Sequence, residues 1–348
     1  MKKILVLGGG GFIGGHLSKK LKDEGCWVRI CDVKKHEYFQ ENKICHEFIQ
    51  GDLKDINIVK KVLLSPDQKI ITKLVDFENY IDEVIGDSFD EVYQLAADMG
   101  GAAYIFTGEN DANVMHNSSL INLNVVNESV KYGVKKIFYS SSACMYPEHN
   151  QLDPNNPNCE ESSAYTANPD SEYGWEKLFS ERMCRHFNED FRLETRIARY
   201  HNVYGPNGTW NGGREKAPAA ICRKVIEAKL SGKHEIEIWG DGNQTRSFMY
   251  IDDCIKGSTM LMQSDFTDPI NIGSSQKVTI NQLVDIAENI AGIKLHRKYN
   301  LNAPKGVNGR NSDNTLILNK FNWEPSISLE TGLTKTYKWI YDQMNKNQ

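Results

Sequence analysis

The chain has no apolar stretch of about 18 residues, the least that a helix needs to cross a bilayer. Its opening places Lys2 and Lys3 before the apolar run 4–7, which is shorter than the roughly 7 to 15 apolar residues of a secretion signal. We therefore expect a soluble protein of the cytoplasm that has no membrane partner.

Cysteines close enough in sequence to form a C-x-x-C pair are also lacking, which argues against a zinc ribbon and against a disulfide framework. We expect reduced thiols and no metal site. The eight dispersed cysteines are Cys26, Cys31, Cys45, Cys144, Cys159, Cys184, Cys222 and Cys254.

A basic excess is missing too. The 348 residues include 41 Lys and Arg against 46 Asp and Glu, a net charge of −5, whereas nucleic-acid binders normally carry a strong positive excess. Nucleic acid is therefore not an expected partner, and a polyphosphate ligand must meet a local group of cations. The length is typical of one large domain or two.

The first half alternates strand-like apolar runs with helical patterns. Helical patterns cover 13–24 and 118–132, and the second places Leu120, Leu123, Val126 and Val130 on one face. This alternation predicts an α/β fold with a Rossmann-type, doubly wound parallel sheet. The segment 60–90 is long for a single crossover, and we predict an extra helix there. The predicted strands are 4–7, 27–31, 47–49, 91–96 and 136–140.

After about residue 200 the sequence changes to loops rich in Gly, Asn and Pro. Helical patterns at 217–230, 251–263 and 279–291 alternate there with short strands. This predicts a smaller C-terminal α/β lobe for the substrate. We expect residues 1–200 to form a cofactor-binding domain, to which the chain returns around 240–265, and 201–348 to form mainly the substrate lobe.

A glycine-rich turn, 8–14, follows the first predicted strand and opens the first predicted helix. Glycines at this spacing allow a tight turn and a close approach of backbone to a pyrophosphate, with the helix N-terminus facing the anion. Asp32 ends the second strand, where a carboxylate accepts hydrogen bonds from ribose hydroxyls and repels a 2′-phosphate, so NAD is favoured over NADP. Asp52 is expected either to contact the edge of the adenine ring or to be the N-cap of the helix that follows. The predicted cofactor contacts are Gly8, Gly11, Phe12, Ile13, Gly14, Asp32, Asp52, Leu53, Ala96, Tyr173 and Lys177.

Tyr173 and Lys177 are four residues apart and so share one helical face. A nearby ammonium and the positive nicotinamide favour the phenolate, which can take a proton from a hydroxyl while hydride leaves the same carbon. Ser142, at the end of the preceding strand, can hydrogen-bond the reacting oxygen. The pattern indicates a dehydrogenase-type catalytic group.

Together these residues resemble the extended short-chain dehydrogenase/reductase family, the NAD-dependent epimerases and dehydratases of nucleotide sugars. From about residue 93 nearly to the C-terminus, further blocks resemble the GDP-mannose 3,5-epimerases within that family. These blocks are Ala96 to Gly101, Ser141 to Pro147, His201 to Pro206, Gly213 to Ala220, Trp239 to Phe248 and Gly309 to Asn314.

The resemblance implies an isomerase that oxidises C4 of a GDP-sugar to a ketone, which acidifies the hydrogens on C3 and C5. One group must then remove a proton and another deliver one to the opposite face, and the resemblance assigns these roles to Cys144 and Lys216. It also implies a homodimer through helices of the cofactor half, and diphosphate clamping by two arginines. The implied substrate contacts are Gly101, Ser142, Cys144, Asn202, Glu215, Lys216, Lys224, Gln244, Arg246 and Arg310.

Departures from the epimerase pattern leave alternatives open. Asn308 stands where the pattern has another Arg, and the segments 60–90 and 227–237 also differ. A modified mannose such as a GDP-heptose, or one inversion instead of two, remains an alternative. So does a nucleotide-sugar 4-epimerase, dehydratase or C4 dehydrogenase. A non-catalytic, NAD-sensing regulatory protein is the alternative from another class, although such proteins tend to lose Tyr173 or Lys177.

Overall fold

The computed structural model of the chain describes residues 1–74 and 80–346. The strands are β1 Lys3–Leu7, β2 Trp27–Asp32, β3 Glu47–Gln50, β4 Lys69–Leu74, β5 Tyr80–Ile85, β6 Glu91–Gln94, β7 Lys136–Ser142, β8 Glu194–Tyr200, β9 Val203–Tyr204, β10 Glu235–Trp239, β11 Thr245–Ser247, β12 Met249–Tyr250, β13 Ile270–Ile272, β14 Lys277–Thr279, β15 His296–Asn300 and β16 Gly309–Arg310. The helices are α1 Phe12–Asp23, α2 Glu41–Ile44, α3 Ile56–Leu63, α4 Ala102–Ile105, α5 Asp111–Lys131, α6 Glu172–Phe191, α7 Ala217–Ser231, α8 Ile251–Gln263, α9 Ile280–Ala291, α10 Thr315–Phe321 and α11 Leu329–Lys346.

Seven strands form one sheet in the order β13-β8-β7-β6-β1-β2-β3, and every neighbouring pair in it is parallel. Strand order reverses between β1 and β6, because the chain builds outward from β1 first on one side and then on the other. Open α/β sheets bind ligands at such a reversal, outside the carboxyl ends of the strands. The predicted Rossmann-type fold is confirmed, and all five predicted strands lie in this sheet.

The sheet separates two apolar layers, as β1 illustrates. Ile4 and Val6 belong to one buried cluster, whereas Leu5 and Leu7 belong to the other. Consecutive side chains of a strand point to opposite faces, and helices cover both faces of a parallel sheet. A run of four apolar residues is therefore buried throughout, which makes β1 a fixed support for the glycine turn that follows it.

The segment 60–90 contains an antiparallel hairpin instead of an extra helix. α3 ends at Leu63, and β4 then pairs with β5 in the register Ile70 to Val84. β-branched residues in β4 favour this conformation. The predicted helix is wrong for the described residues of this segment; residues 75–79 lie outside them.

The predicted face of α5 also differs from the observed one. Val126 is buried, but Leu123 is 45% exposed. The buried side instead carries Val114, Ile121 and Val125 together with polar Ser118 and Asn122. Because polar residues are buried on this side, the positions of the apolar residues alone do not indicate which face of α5 packs against the rest of the protein.

The second half adds smaller sheets around helices close to the predicted ones. β10 pairs with β15, β11 with β14 and β16, and β12 with β9. α8 and β13 return to the large sheet, where β13 pairs with β8. Within the described part of the chain, no helix is both long and apolar enough to cross a membrane.

Candidate active site

The glycine turn between β1 and α1 is closely packed. Gly8 has φ +84°, and a Cβ atom there would lie 2.7 Å from the amide nitrogen of Ala96. A Cβ atom on Gly14 would lie 2.2 Å from the carbonyl oxygen of Gly8. α1 begins after Gly11, whose position provides no side-chain cap. The first amide N–H groups of α1 therefore remain available to an anion.

Asp32 closes this turn from the end of β2. One carboxylate oxygen accepts a hydrogen bond from the Gly10 amide at 3.0 Å, and the other accepts one from the Lys34 amide at 3.1 Å. Burial raises the pKa of Asp32, and the two amide bonds oppose that rise. Each oxygen keeps a lone pair for a further donor, as a ribose-binding carboxylate requires.

Asp52 lies in the turn after β3, where its carboxylate accepts from the Lys54 amide at 3.0 Å. The N-cap of α3 is Asp55, which accepts from the Asn57 amide at 2.8 Å. The N-cap alternative for Asp52 is therefore wrong, because the helix starts three residues later than that reading needs.

A cavity of about 640 Å³ opens at the reversal of strand order. Ser142, at the end of β7, lies on its wall. Its size, the glycine cradle and the carboxylate at the end of β2 fit a dinucleotide. All the predicted cofactor residues line it: Gly8, Gly11, Phe12, Ile13, Gly14, Asp32, Asp52, Leu53, Ala96, Tyr173 and Lys177.

Tyr173 and Lys177 lie in the first turns of α6, which Ser171 caps. The Lys177 ammonium lies 5.5 Å from the centre of the Tyr173 ring and donates to the carbonyl oxygen of Ser140 at 3.2 Å. Burial raises the pKa of Tyr173, and nearby Cys144 adds to the rise. The protein alone therefore holds Tyr173 as a phenol, so the phenolate needs positive charge beyond what these residues supply.

Cys144 lies in a single 3₁₀ turn, Ala143–Met145, directly after β7. The Ser142 hydroxyl caps this turn, because it accepts a hydrogen bond from the Cys144 amide at 3.2 Å. Lys216 is the N-cap residue of α7, and its ammonium donates to the carbonyl oxygen of Gly100 at 3.2 Å. Burial lowers the pKa of Lys216, whereas its proximity to Cys144 opposes this. The thiol of Cys144 and the ammonium of Lys216, which come from different halves of the chain, thus lie near enough to influence each other.

A second cavity, of about 720 Å³, adjoins the first and lies towards the C-terminal lobe. Cys144, Asn202, Lys216 and Arg310 line both cavities. The junction is therefore where a cofactor and a second ligand would meet. Nine of the ten predicted substrate residues line the second cavity, Ser142 being the exception: Gly101, Cys144, Asn202, Glu215, Lys216, Lys224, Gln244, Arg246 and Arg310.

Polar side chains of the second cavity are held by the protein around them. The Lys224 ammonium donates to the carbonyl oxygen of Glu237 at 3.0 Å, and burial lowers the pKa of this lysine. Gln244 donates to the carbonyl oxygen of Trp239 at 2.8 Å, while its own side-chain oxygen is buried without a partner among the described residues. A buried acceptor of this kind needs a donor, and a ligand can supply one.

Two further side chains of this cavity are also fixed. Glu215 pairs with Arg223 at 3.0 Å, and the Asn202 amide donates to the carbonyl oxygen of Ser247 at 3.0 Å. Their orientations are therefore set before any ligand arrives.

Both predicted arginine clamps already have protein partners. Arg246 donates to the backbone carbonyl oxygens of Thr245, Lys305 and Val307, and burial lowers its pKa to about 10. Arg310 instead forms a buried ion pair at 2.7 Å with Asp170, a residue that sequence reasoning missed. Because 140 residues separate the two along the chain, no local pattern indicates their contact.

Elsewhere in the described ranges, no three His, Cys, Asp or Glu side chains come together in a way that could hold a metal ion.

The fold, the glycine cradle and the Tyr173–Lys177 pair define a nucleotide-dependent α/β enzyme, and residues 4–273 match the model of the NAD dependent epimerase/dehydratase family. The chain belongs to this family, and NAD is its cofactor. It is 42% identical to the GDP-mannose 3,5-epimerase of Arabidopsis thaliana, over 99% of this chain and 84% of that protein. It is also 42% identical to GDP-mannose 3,5-epimerase 1 of Oryza sativa subsp. indica, over 99% and 83%.

Among solved structures, the chain is similar to the UDP-glucose 4-epimerase of Thermotoga maritima with UDP-glucose. The TM-score is 0.81 at 25% identity, covering 98% of this chain and 99% of that one. The predicted family and fold class are thus confirmed.

Proposed function

We propose that this protein epimerises a GDP-sugar, GDP-mannose or a close relative, at C3 and/or C5 through a transient 4-keto sugar. The observation that carries the proposal is that Cys144 and Lys216 both line the junction of the two cavities, with Tyr173 near Cys144. The 42% identity to two GDP-mannose 3,5-epimerases supports the same substrate class.

The cofactor half holds NAD with the groups already described. The free amides of α1 and the glycine turn receive the pyrophosphate, and Asp32 receives the adenosine ribose. When bound there, NAD would supply the hydride acceptor for C4 of the sugar and the donor for its return, so the reaction would consume no cofactor. Residues 1–200 form this half together with α8 and β13, so that the chain returns to it over 251–272 and not over the expected 240–265. The rest of 201–348 mainly holds the substrate.

Tyr173 takes the proton of the C4 hydroxyl, and Ser142 hydrogen-bonds the same oxygen. Lys177 lies close beneath the Tyr173 ring, so its ammonium stabilises negative charge on the phenol oxygen as the proton leaves. The ketone that results acidifies the neighbouring C–H bonds of the sugar.

Cys144 and Lys216 then exchange protons with the sugar. The Cys144 thiolate removes a proton from one face, and the Lys216 ammonium delivers one to the other face, which inverts the carbon. The lowered pKa of Lys216 suits this role, because an ammonium with a pKa closer to neutral is a better proton donor.

The second cavity supplies local cations for the diphosphate of a nucleotide sugar in an otherwise acidic protein. Arg246, Lys224 and Arg310 carry this charge, and Arg310 uses only three of its five N–H groups on the protein. The unpartnered side-chain oxygen of Gln244 can accept a hydrogen bond from the nucleobase of the substrate. Gly101, Asn202 and Glu215 complete the proposed contacts.

The test is incubation of the purified protein with GDP-mannose in deuterated water, followed by NMR and mass spectrometry. We expect deuterium at C3 and C5, and its loss in Cys144→Ala and Lys216→Ala. Cys26→Ala is the matched control, since Cys26 is likewise half-buried but lies outside both cavities. Absence of exchange at both carbons, with GDP-mannose and with a GDP-heptose, would exclude epimerisation.

The same experiment separates the alternatives. A 4-epimerase or C4 dehydrogenase changes C4 without exchange at C3 or C5, and a dehydratase loses water from the sugar. An NAD-sensing protein would bind cofactor and leave the sugar unchanged. Each outcome is read from the mass and the ring-proton couplings of the sugar.

We also propose a homodimer formed through α5 and α6. These helices pack against each other on the cofactor half, and each carries large exposed apolar side chains that a dimer interface would cover. The free thiols support a cytoplasmic location, since reduced cysteines are typical of that compartment. The exposed residues are Met115, Leu123, Trp175 and Phe179.

A further inference from the structure

We propose that Asp170 is a positioning residue for Cys144, acting through Arg310, and that its negative charge keeps Cys144 able both to take and to give a proton. This inference rests on the proposed function, which assigns proton exchange to Cys144. No sequence pattern singles out Asp170, which the fold brings to the site from the loop before α6.

The Arg310 guanidinium binds three partners at once. One terminal nitrogen, Nη1, donates to the sulfur of Cys144 at 3.1 Å, and the other, Nη2, donates to Asp170 at 2.7 Å. Nε donates to the side-chain oxygen of Gln151 at 2.5 Å. Because the guanidinium is a rigid plane, fixing it on Asp170 and Gln151 also fixes the direction from which it meets the sulfur.

Asp170 is itself anchored. Its second carboxylate oxygen accepts from the Ser171 hydroxyl at 3.2 Å, and that hydroxyl accepts in turn from the Gly174 amide at 3.2 Å. Ser171 is the N-cap of α6, the helix that carries Tyr173. The ion pair is buried, with the side chains of Arg310 and Asp170 only 5% and 3% exposed. Asp170 therefore ties the group facing Cys144 to the helix that performs the oxidation.

The charges around Cys144 are mostly positive. Cations beside a thiol favour the thiolate, which is a good base but holds no proton to donate. Asp170 is the carboxylate in this group, and it offsets the charge of Arg310. The charged and titratable groups around Cys144 and its arginine partner include Tyr173 of α6, Lys216 at the start of α7, Arg246 of β11, Arg310 of β16, Asp170 and the buried thiol Cys159.

Both proton states of Cys144 are used in the proposed reaction. When one carbon is inverted, the thiolate takes the C–H proton and becomes a thiol, while the Lys216 ammonium gives a proton to the other face and becomes an amine. The reverse inversion needs the thiol to give its proton and the amine to take one. A site that held Cys144 only as thiolate would run one direction and stall in the other.

The test is alkylation of Cys144 by iodoacetamide as a function of pH, on the NAD-loaded protein as purified. Peptide mapping by mass spectrometry separates Cys144 from Cys26, the other cysteine that is not buried. Asp170→Asn keeps the shape and a hydrogen-bond acceptor but removes the charge. We expect the midpoint of alkylation to fall by about one pH unit in this variant.

Arg310→Gln is the opposing variant, and we expect its midpoint to rise by about one pH unit. Asp153→Asn is the matched control, because Asp153 is an exposed carboxylate whose side chain accepts from the nearby Asn155 amide. Its midpoint should equal that of the unaltered protein. In Asp170→Asn the inversion that needs the thiol as proton donor should slow by about tenfold, whereas the inversion that needs the thiolate should not slow.

An unchanged or raised midpoint in Asp170→Asn would overturn the inference, and so would an unchanged or lowered midpoint in Arg310→Gln if the first variant does not fold. Alkylation needs no sugar, so its result does not depend on the proposed reaction. Failure of deuterium exchange in the unaltered protein would remove the proposed function, whereas an unmoved alkylation midpoint would remove only the role of Asp170.

Discussion

The carbonyl oxygen of Gly8 and the α-carbon of Gly14 approach so closely that a Cβ atom on Gly14 would lie 2.2 Å from that oxygen. A Cβ contact below 3 Å forces the neighbouring atom to move, and here that atom belongs to the backbone, which cannot rotate away as a flexible side chain can. The distance between the glycine turn and the first turn of α1 is thus set by the absence of a side chain.

Gly14→Ala is therefore expected to push α1 away from the turn. We expect NAD affinity to fall at least tenfold and stability to fall by about 1–3 kcal/mol, the usual cost of overpacking. Isothermal titration with NAD and urea unfolding measure the two effects. Lys19→Ala, on the exposed side of the same helix, is the control. Unchanged NAD affinity in Gly14→Ala would contradict the assignment of this turn to the pyrophosphate.

Asp32→Asn tests the choice of cofactor. The amide keeps an acceptor for the Gly10 amide but removes the charge that repels a 2′-phosphate, so we expect weaker binding of NAD and new binding of NADP. The ratio of the two dissociation constants should shift by about 10-fold or more, since removing like-charge repulsion is worth more than 1 kcal/mol. Asp55→Asn, which keeps a good helix cap, is the control. Release of NADP on denaturing the unaltered protein would overturn the role of Asp32.

His36 makes the protein sensitive to acid. Burial lowers its pKa to about 4, and its Nδ1 accepts from the amides of Tyr38 and Phe39, which an imidazolium cannot do. As the pH falls below the ordinary histidine value of 6.5, the unfolded chain takes up a proton that the folded protein refuses until about pH 4. The contribution of neutral His36 to the free energy of unfolding is therefore complete above pH 6.5 and is lost as the pH falls from 6.5 to 4.

Between pH 7 and pH 5 this loss amounts to about 2 kcal/mol at most for His36. His36→Asn provides an acceptor that does not titrate, so urea unfolding should show a smaller loss over this interval. His201, whose pKa burial lowers to about 3, keeps its own contribution in the variant. An identical pH dependence in both proteins would show that His36 is not the group responsible.

The proposed dimer predicts the effect of charge on α5 and α6. Leu123 and Phe179 are 45% and 49% exposed, and Leu123→Glu with Phe179→Glu should give a monomer in sedimentation velocity. Leu301→Glu is the control, because Leu301 is 70% exposed in the C-terminal half. A dimer that survives the double substitution would place the interface elsewhere, and a monomeric unaltered protein would remove the proposal.

Sequence alone predicted the parts of this molecule that local patterns determine. The buried run of β1, the turn that follows it and the Tyr173–Lys177 spacing all depend on residues close together in the chain. The hairpin of β4 and β5 was missed because its apolar residues were assigned to a helix, although Ile70 and Ile71 favour a strand.

The charge arrangement at Cys144 was beyond such reasoning. Arg310 was expected on a diphosphate, and its contact with Asp170 depends on the packing of β16 against the loop before α6. The predicted face of α5 failed for a related reason. Buried Asn122 binds Glu176 and Ser180 of α6, so a polar contact decides the orientation of that helix.

The close contact at Gly174 limits where the active site can be enlarged to accept other sugars. A Cβ atom on Gly174 would lie 2.1 Å from the carbonyl oxygen of Cys144, so the helix that bears Tyr173 rests directly on the turn that bears the thiol. That wall is rigid. Space for a bulkier sugar is more readily gained in the second cavity at Gly212 and Gly213, just ahead of Lys216, because no atom of the described residues lies within 4 Å of where a Cβ on either would stand. Selection for new sugars would therefore leave its marks in the loop before α7 and spare the Gly174 contact.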